Sequence, residues 1–563
     1  MHKKASALVA ISLFCSLAMV LLFARFTAAK AAKDAGSAPA SLSGTVRSDD
    51  GKPLRGAVVT VASGNRTVSR FADQAGHYVI SGLVPGSYNV AATSWGYERK
   101  VESKALDGKT EMSFALAAQW QPVRQMSSAQ WYASLPRTAD TEKLEFQCMG
   151  CHNASNLVRH RGSTADQWQG VVSAMGTDVL WDGEMAAPRK NALEDLPVLT
   201  KYFGPNASLP AKDQVSAPEI SDAVLKATFK EYATPQASYV HSLTVNPITE
   251  QVYYTEIDRA TNALGQFDIK TEKITEHRFQ ADFSQPHNAV VTPDGKVWVS
   301  LNDAREVGLF DPKTGKVSEF PAVAVGHTID ADWNGIIWES GPGVFKFDPE
   351  THESTQYFLP KPPDGTIAPG KSAEIMALDS APSSGDVCGT YDMSAGQRGA
   401  IWFTCSNPGY VGKLDPQTKK IKMYRIPNAG AMKGIMVDPN SGDVWFSSFS
   451  DHKLGRIVAK TDEVKLYQAP TVHAGFYGIL VDRYTKDIWV SDYEGSHIDR
   501  FNPQTEQFTE YPLPRNDGMP RFMGQDAQGR IWYTEWRGKF GVLDPGDLQS
   551  ERHVAKIIRS TRQ

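Results

Sequence analysis

The stretch His287-Asn-Ala-Val-Val-Thr-Pro-Asp-Gly-Lys-Val-Trp298-Val-Ser300 decides the fold of most of this chain. Apolar and polar residues alternate up to a Pro-Asp-Gly turn, and a strand with a central aromatic residue follows, which is typical of a β-hairpin. The same unit returns from about residue 216 to the C-terminus. Its aromatic position occurs seven times, at Tyr253, Trp298, Trp338, Trp402, Trp445, Trp489 and Trp532.

Units of about 40–46 residues with four strands each indicate a β-propeller, which we predict to have seven blades. Only the interval from the third to the fourth aromatic residue is longer, because it contains a Pro-, Gly- and Ser-rich insertion near 361–385. The last unit ends after Phe540–Pro545 without a fourth strand, and Ala227–Pro235 has the pattern of one. We therefore expect the N-terminal segment to complete the seventh blade, within a propeller of residues 224–546 and before a C-terminal tail of 547–563.

Cys388 and Cys405 lie in the fourth unit. A hairpin centred between Gly396 and Gln397 places them opposite each other on two neighbouring strands. The sequence therefore predicts a disulfide between them in an oxidising compartment.

The start of each inner strand of a propeller faces the central channel, so equivalent positions form a ring. Counting back 11 or 12 residues from each aromatic position gives only polar or cationic members: His241, His287, His327, Tyr391, Lys433, Tyr477 and Arg521. Three histidines on successive blades suit a transition metal as a second cofactor. Tyr391, Lys433, Tyr477 and Arg521 are the candidates for binding a small anionic substrate. The alternative is a water-filled channel mouth without a ligand.

The repeat resembles the streptogramin (virginiamycin B) lyase family of seven-bladed propellers, in units such as 286–298 and Gly529-Arg-Ile-Trp-Tyr-Thr-Glu535. The resemblance implies elimination at a lactone ester by a histidine in Glu-x-His and a glutamate that closes Trp-Phe-x-Glu, with glutamate-bound Mg²⁺. In this chain none of the residues two before a ring position is acidic. His241 with Glu256 is the pair that combines a ring histidine with a closing glutamate, and His287 and His327 complete the candidate catalytic set.

Cys148-Met149-Gly150-Cys151-His152 is a C-x-x-C-H run, the attachment signature of c-type haem. The two thiols form thioethers to the porphyrin, and His152 becomes an axial ligand of the iron. The alternative is a local disulfide or a pair of thiols. Helical patterns at Thr141–Phe146, Ala165–Met175 and Leu193–Tyr202 surround the motif.

Residues 128–206 resemble a single-haem class I cytochrome c. The resemblance implies one covalent haem c and an axial methionine, for which Met175 is our candidate because it ends a helix before Gly176. Met185, His160 or an open sixth position are the alternatives.

The N-terminal region contains an export signal and a small β domain. A positive start, the apolar run Ala5–Ala24 and Ala29-Lys-Ala31 predict a signal peptide of residues 1–31, or an uncleaved anchor. Short strands at Leu42–Val46, Gly56–Val61, His77–Ile80 and Ser87–Ala92 predict a sandwich at 41–118. Its Gly51-Lys-Pro-Leu-Arg-Gly-Ala57 and Gly82-Leu-Val-Pro-Gly-Ser-Tyr88 runs resemble the carboxypeptidase regulatory-like domain, a transthyretin-like fold.

The near balance of 59 Lys+Arg against 63 Asp+Glu argues against nucleic-acid binding. We expect a mainly β, exported, periplasmic protein, bound to a membrane only if the N-terminal segment stays uncleaved. Our first hypothesis is an electron-transfer protein whose haem relays electrons while the propeller binds a redox partner or a small molecule. The others are a lyase-like C–O lyase with a metal-assisted His/Glu site, and a scaffold without catalysis.

Protein matured in an exporting host with a haem-ligation apparatus should show reduced-haem absorption that survives denaturation, because thioether attachment is covalent. Absorption spectra with metal analysis check this, and the control is the Cys148→Ser/Cys151→Ser double variant, which should be colourless. A colourless wild-type protein would contradict the haem prediction.

Overall fold

The structure is a computed structural model that describes residues 38–149, 153–174, 192–246, 248–257, 261–322, 326–359, 372–376, 389–396, 399–405, 409–426 and 429–547. The predicted signal peptide or anchor, residues 1–31, lies outside these ranges, as does the tail 548–563. Within the described ranges, no helix has both the length and the apolar character needed to cross a membrane.

The first β region is a sandwich of two sheets. Its strands are β1 (Ala40–Ser48), β2 (Val58–Ser63), β3 (Arg66–Phe71), β4 (His77–Leu83), β5 (Gly86–Thr93), β6 (Lys100–Leu106), β7 (Lys109–Glu111) and β8 (Phe114–Leu116). One sheet has the order β4-β1-β7 with β8 also on β1, and the other contains β3-β2-β5-β6. Alternate residues of the strands, such as Leu42, Val59 and Val90, face inwards and form the core. The four predicted strands are present.

A small helical region follows the sandwich. It contains α1 (Pro122–Gln125), α2 (Ser128–Ser134), α3 (Ala139–Met149), α4 (Ala154–Arg159), α5 (Ala165–Ser173) and α6 (Leu196–Phe203). Capping boxes begin α2 at Ser127 and α5 at Thr164. The three predicted helices correspond to α3, α5 and α6, whereas α1, α2 and α4 are too short to show a helical period.

The remaining strands form seven blades in the described part of the chain, each with at least four strands. Short 3₁₀ turns at Lys212–Gln214 and Val224–Lys226 lead into β9 (Thr228–Ala233). Blades one to three are β10 (Val240–Asn246), β11 (Gln251–Glu256), β12 (Ala263–Asp268), β13 (Ile274–Arg278); β14 (Pro286–Val291), β15 (Val297–Leu301), β16 (Glu306–Asp311), β17 (Lys316–Pro321); β18 (Ile329–Ala331), β19 (Ile337–Gly341), β20 (Gly343–Phe347) and β21 (Ser354–Tyr357).

Blade four contains an extra strand, because β22 (Ser372–Met376) from the predicted insertion pairs with its outer strand. Blades four and five are β22, β23 (Thr390–Ala395), β24 (Ile401–Cys405), β25 (Tyr410–Asp415), β26 (Lys420–Arg425); β27 (Met432–Val437), β28 (Val444–Ser448), β29 (Lys453–Ile457) and β30 (Val464–Gln468), with a 3₁₀ turn at Phe449–Asp451. Blades six and seven are β31 (Phe476–Val481), β32 (Ile488–Asp492), β33 (His497–Asn502), β34 (Gln507–Pro512); β35 (Pro520–Gln525), β36 (Ile531–Glu535) and β37 (Lys539–Asp544), completed by β9.

The propeller closes as the sequence predicts. β9 pairs antiparallel with β37 as the outer strand of blade seven. The innermost strand of each blade contacts that of the next, and β35 contacts β10, so the inner strands form a closed ring. β9 also pairs antiparallel with β3, from Arg66 opposite Tyr232 to Arg70 opposite Thr228. Blade seven and one sheet of the sandwich are therefore one continuous eight-stranded sheet.

The predicted strand register around Cys405 needs a correction. In blade four the register places Thr390, and not Cys388, opposite Cys405, because the pairing shifts between Thr390 and Met393. Cys405 is disulfide-bonded, and Cys388 lies outside the described residues. Its pairing with Cys405 stays a prediction.

A hydroxyl two residues after each conserved aromatic position of the repeat ties neighbouring blades together. In six blades of the described structure this hydroxyl donates to the backbone carbonyl of the ring residue in the next blade, over 2.5–3.1 Å: Thr255 to His287, Ser340 to Tyr391, Thr404 to Lys433, Ser447 to Tyr477, Ser491 to Arg521 and Thr534 to His241. In several blades the same oxygen accepts the N–H that follows the ring residue of its own blade, as Thr404 does from Asp392. We call these bonds the hydroxyl latch.

Replacing Thr404 by the isosteric Val should lower the free energy of unfolding by about 1–3 kcal/mol, because the buried Asp392 N–H and Lys433 carbonyl each lose a partner. Denaturant unfolding measures the change. Thr404→Ser keeps the hydroxyl and is the control, and an equal loss in both variants would contradict the latch.

Candidate functional site

The three ring histidines of blades one to three form a compact cluster in the channel, with ring centroids 3.7–5.9 Å apart. Nδ1 of His241 donates to the His287 carbonyl at 2.8 Å, and Nδ1 of His287 donates to the His327 carbonyl at 2.5 Å. Nδ1 of His327 donates in turn to the Tyr391 carbonyl at 2.8 Å. With Nδ1 as donor, each neutral ring has its lone pair on Nε2. One ligand atom from each histidine lies within 4.8 Å of the others.

Burial keeps these imidazoles neutral. It lowers the pKa of His241 and His287 well below the usual range, where neighbouring histidines and Arg521 lower it further. Burial lowers the pKa of His327 to about 3. Neutral imidazoles held through Nδ1 by backbone carbonyls are the form in which histidine binds a metal. The cluster therefore fits a transition metal ion.

The other half of the ring presents cations and phenols. The Lys433 ammonium lies 3.9 Å from the centroid of the Tyr391 ring. Arg521 donates to the Tyr477 hydroxyl at 2.5 Å, and the hydroxyls of Tyr391 and Tyr477 are hydrogen-bonded to each other. Burial raises the pKa of Tyr391 well above its usual range. Burial also raises the pKa of Tyr477, while the charge of Arg521 and the Tyr391 hydrogen bond oppose the rise.

The structure thus brings all seven predicted ring residues to one channel. The Tyr391 ring lies 4.3 Å from the His327 ring and connects the two halves. The sequence reasoning missed Trp536, whose ring lies 4.1 Å from the Arg521 guanidinium and 6.1 Å from His241. Trp536 could have been predicted from its position four residues after Trp532, because the second strand of the blade ends at the channel mouth.

His241 and Glu256, the predicted lyase pair, have different partners. The Glu256 carboxylate accepts from the Thr234 hydroxyl at 2.6 Å, whereas His241 donates to the His287 backbone. Burial raises the pKa of Glu256. The contacts described for these two side chains include no hydrogen bond between the Glu256 carboxylate and the His241 ring.

The helical region covers the channel mouth. Trp131, Tyr132 and Leu144 share one hydrophobic cluster with Tyr477 and Tyr493 of the propeller. Polar contacts fix the same interface: the Ala129 N–H donates to the Glu494 carbonyl at 2.8 Å, and the His473 ring contacts the Glu145 carboxylate at 2.5 Å.

His160, an alternative sixth ligand, follows the last residue of α4, and of the other residues predicted to hold the haem only Cys148 is described. It lies near the end of α3 and packs against the hydrophobic cluster at the channel mouth. Cys151, His152 and Met175 lie outside the described residues, as does Met185. The haem attachment therefore stays a prediction.

Comparison with known proteins agrees with the propeller and the sandwich. Residues 377–544 match the model of the virginiamycin B lyase family, and residues 41–117 match the carboxypeptidase regulatory-like domain. No curated protein matches the chain. The C-terminal region is therefore a virginiamycin B lyase-like β-propeller, preceded by a carboxypeptidase regulatory-like domain and a small helical region.

Solved structures resemble the propeller at low identity. Selenomethionine-substituted virginiamycin B lyase from Staphylococcus aureus has 20% identity and a TM-score of 0.48, and the match covers 56% of this chain and 99% of that one. A streptogramin B lyase structure has 22% identity and a TM-score of 0.49, covering 57% and 99%. The β-propeller domain of Myceliophteria thermophila Cps50 (Swd1) has 12% identity and a TM-score of 0.44, covering 55% and 97%.

The family match contains Tyr391, Lys433, Tyr477 and Arg521, whereas the three histidines precede it. The cation-and-phenol half of the ring is thus the half that lies in the lyase-like segment.

Glu339 is a buried acid beside the channel, with its carboxyl group against Gly326, the neighbour of His327. Burial raises the pKa of Glu339 from 4.5 to about 8. Between these values the unfolded chain loses the proton and the folded chain keeps it. The free energy of unfolding therefore falls as the pH rises, by on the order of 1 kcal/mol per pH unit.

Glu339→Gln removes this titration, so its stability relative to the wild type should increase steadily from pH 5 to pH 8. Denaturant unfolding at several pH values measures the difference. The matched control is Glu353→Gln, at an exposed position of the same blade. Parallel pH profiles for Glu339→Gln and the wild type would contradict the expected neutral acid.

Proposed function

We propose that the propeller channel is the active site of a C–O lyase that acts on a small ester by elimination, with a metal ion held by His241, His287 and His327. The observation that carries the proposal is the single channel in which three neutral imidazoles face two cations and a hydrogen-bonded tyrosine pair. The lyase-like match of residues 377–544 favours this reaction class.

His241, His287 and His327 would hold the metal ion, which would supply a Lewis acid for the carbonyl next to the carbon that loses a proton. Elimination then breaks the bond between carbon and the ester oxygen, so a carboxylate leaves. Lys433 and Arg521 are placed to stabilise the charge that develops on this leaving group. Their ammonium and guanidinium groups lie on the two sides of the tyrosine pair.

Tyr477 is the proton acceptor that the geometry favours. Its oxygen accepts a hydrogen bond from Arg521 and lies against the Tyr391 hydroxyl, and both contacts stabilise a phenolate. Tyr391 stays protonated, because burial raises its pKa further above the usual range than that of Tyr477. This assignment moves the role of the base from His241 to Tyr477 and leaves Glu256 outside the reaction.

A ring-opened product of unchanged mass from a cyclic ester, such as a streptogramin B, is the expected result of elimination, since hydrolysis would add one water. The rate should rise with pH, because burial raises the pKa of the acceptor and the phenolate fraction grows as the pH approaches it.

Tyr477→Phe should lower kcat/KM by at least about 100-fold while the metal content stays unchanged, and His287→Ala should lose both metal and activity. Mass spectrometry of the product, metal analysis and the pH profile measure these effects. Tyr357→Phe, on the outer strand of blade three, is the matched control. Full activity in Tyr477→Phe, or a product heavier by one water, would refute the mechanism.

A second candidate function is electron relay in the periplasm through a covalent haem c. The favouring observation is that α3, which carries Cys148, packs over the channel mouth. A haem on that motif would lie next to the propeller ligand or a redox partner protein docked there. The spectrum of protein matured in an exporting host tests this candidate independently of lyase activity.

A further inference from the structure

Blade six differs from the other blades at one buried position of its third strand. The residue opposite the second strand's inward-facing side chain is glycine in five blades: Gly265, Gly308, Gly412, Gly455 and Gly541. In all five of these blades an aromatic side chain occupies the space, as Phe446 does above Gly455. In blade six the position is Asp499, opposite Val490. A carboxylate there has no role in the propeller framework.

Asp499 belongs to a buried cluster of acids around one imidazole. Asp492 and Asp499 are fully buried, and their carboxylate oxygens and a His497 ring nitrogen all lie within 4.8 Å of one another. Nδ1 of His497 is 3.9 Å from a carboxylate oxygen of Asp492 and 3.9 Å from one of Glu510. The sheet register places Asp492 opposite His497 and Asp499 opposite Glu510, so the four side chains share one face of the blade.

The described contacts leave the cluster's charge uncompensated. Both oxygens of Asp499 and Oδ2 of Asp492 are buried without a hydrogen-bond partner, as is Nδ1 of His497. Asp492 Oδ1, by contrast, accepts three backbone N–H groups, which orients Oδ2 towards the cluster. Among the described residues no lysine or arginine forms an ion pair with Asp492, Asp499 or Glu510. Burying unpaired carboxylates is costly unless a cation or protons neutralise them.

Gly495 lies against two of the ligand atoms. A Cβ on Gly495 would lie 2.1 Å from Oδ2 of Asp492 and 3.1 Å from Nδ1 of His497. The lack of a side chain at this position therefore lets Oδ2 of Asp492 keep its place beside the His497 ring.

We infer that Asp492, His497, Asp499 and Glu510 form a binding site for one divalent metal ion in blade six, separate from the three channel histidines. Three carboxylates with one imidazole suit a hard to borderline ion such as Mn²⁺. The ion would join the second, third and fourth strands of the blade and so stabilise it. This ion is additional to the metal ion proposed for the channel and takes no part in the lyase-like reaction.

The test uses the full-length protein and Mn²⁺ as the probe. After EDTA treatment and dialysis, the wild type should bind one equivalent of Mn²⁺ that Asp499→Asn does not bind, as counted by electron paramagnetic resonance. Mn²⁺ should also raise the Tm of the wild type. The Tm of Asp499→Asn and of Asp499→Gly, which introduces the residue found in five other blades, should not respond to Mn²⁺. Gly495→Ala should also lose the ion, because its methyl group would displace Oδ2 of Asp492.

Two controls separate this site from the channel and from unspecific binding. His287→Ala should keep the Mn²⁺ equivalent, and so should Asp462→Asn, which removes a carboxylate outside the cluster. The inference is overturned if the wild type and Asp499→Asn bind equal Mn²⁺, or if Mn²⁺ leaves the wild-type Tm unchanged. A higher Tm of Asp499→Asn in EDTA together with no Mn²⁺ binding by the wild type would show that protons neutralise the cluster instead.

Discussion

The hydroxyl latch is the interaction on which the geometry of the channel depends. A propeller blade packs on its neighbours mainly through apolar side chains, and such contacts are not directional. A buried hydroxyl that accepts from one blade and donates to the next is directional, and leaving its partners unsatisfied is costly. Each latch bond ends on the carbonyl of a ring residue, from Thr534 to His241 at the closure and from Ser491 to Arg521 between blades six and seven. The backbone positions of the ring are therefore set by the same bonds that hold the blades together.

Around this frame, burial determines the chemistry of the channel. Low polarity makes neutral histidine and neutral tyrosine the favoured forms, so proton transfer and metal binding depend on the few charges present. Arg521 contacts Tyr477 and Trp536, and its charge also lowers the pKa of His241 and His287. The arrangement makes the ring asymmetric: electron-pair donors lie on blades one to three and cations on blades five and seven.

Much of the architecture could be predicted from the sequence, because a repeat reveals itself through spacing alone. The aromatic positions indicated the blades, and the missing last strand indicated closure by β9. Ring positions followed from counting back along a hairpin, which tolerates an error of one residue. The residue opposite Cys405 could not be predicted from the sequence, because the shift between Thr390 and Met393 is a backbone irregularity that no residue type marks. The pairing of β3 with β9 could not be predicted either, because edge-to-edge contacts between distant segments depend on tertiary placement. Asp499 was visible only after the register showed which residues are equivalent.

The continuous sheet formed by β3 and β9 has a consequence for how the protein can be divided. β9 closes the propeller with one edge and receives the sandwich on the other. A truncated protein that begins after the sandwich would expose five residues of hydrogen-bonding edge, Thr228–Tyr232, at the propeller rim. Such an edge recruits further strands, so the isolated propeller would be prone to aggregation. The sandwich thus pairs with the outer edge of β9, which would otherwise be an exposed strand edge of the closed propeller.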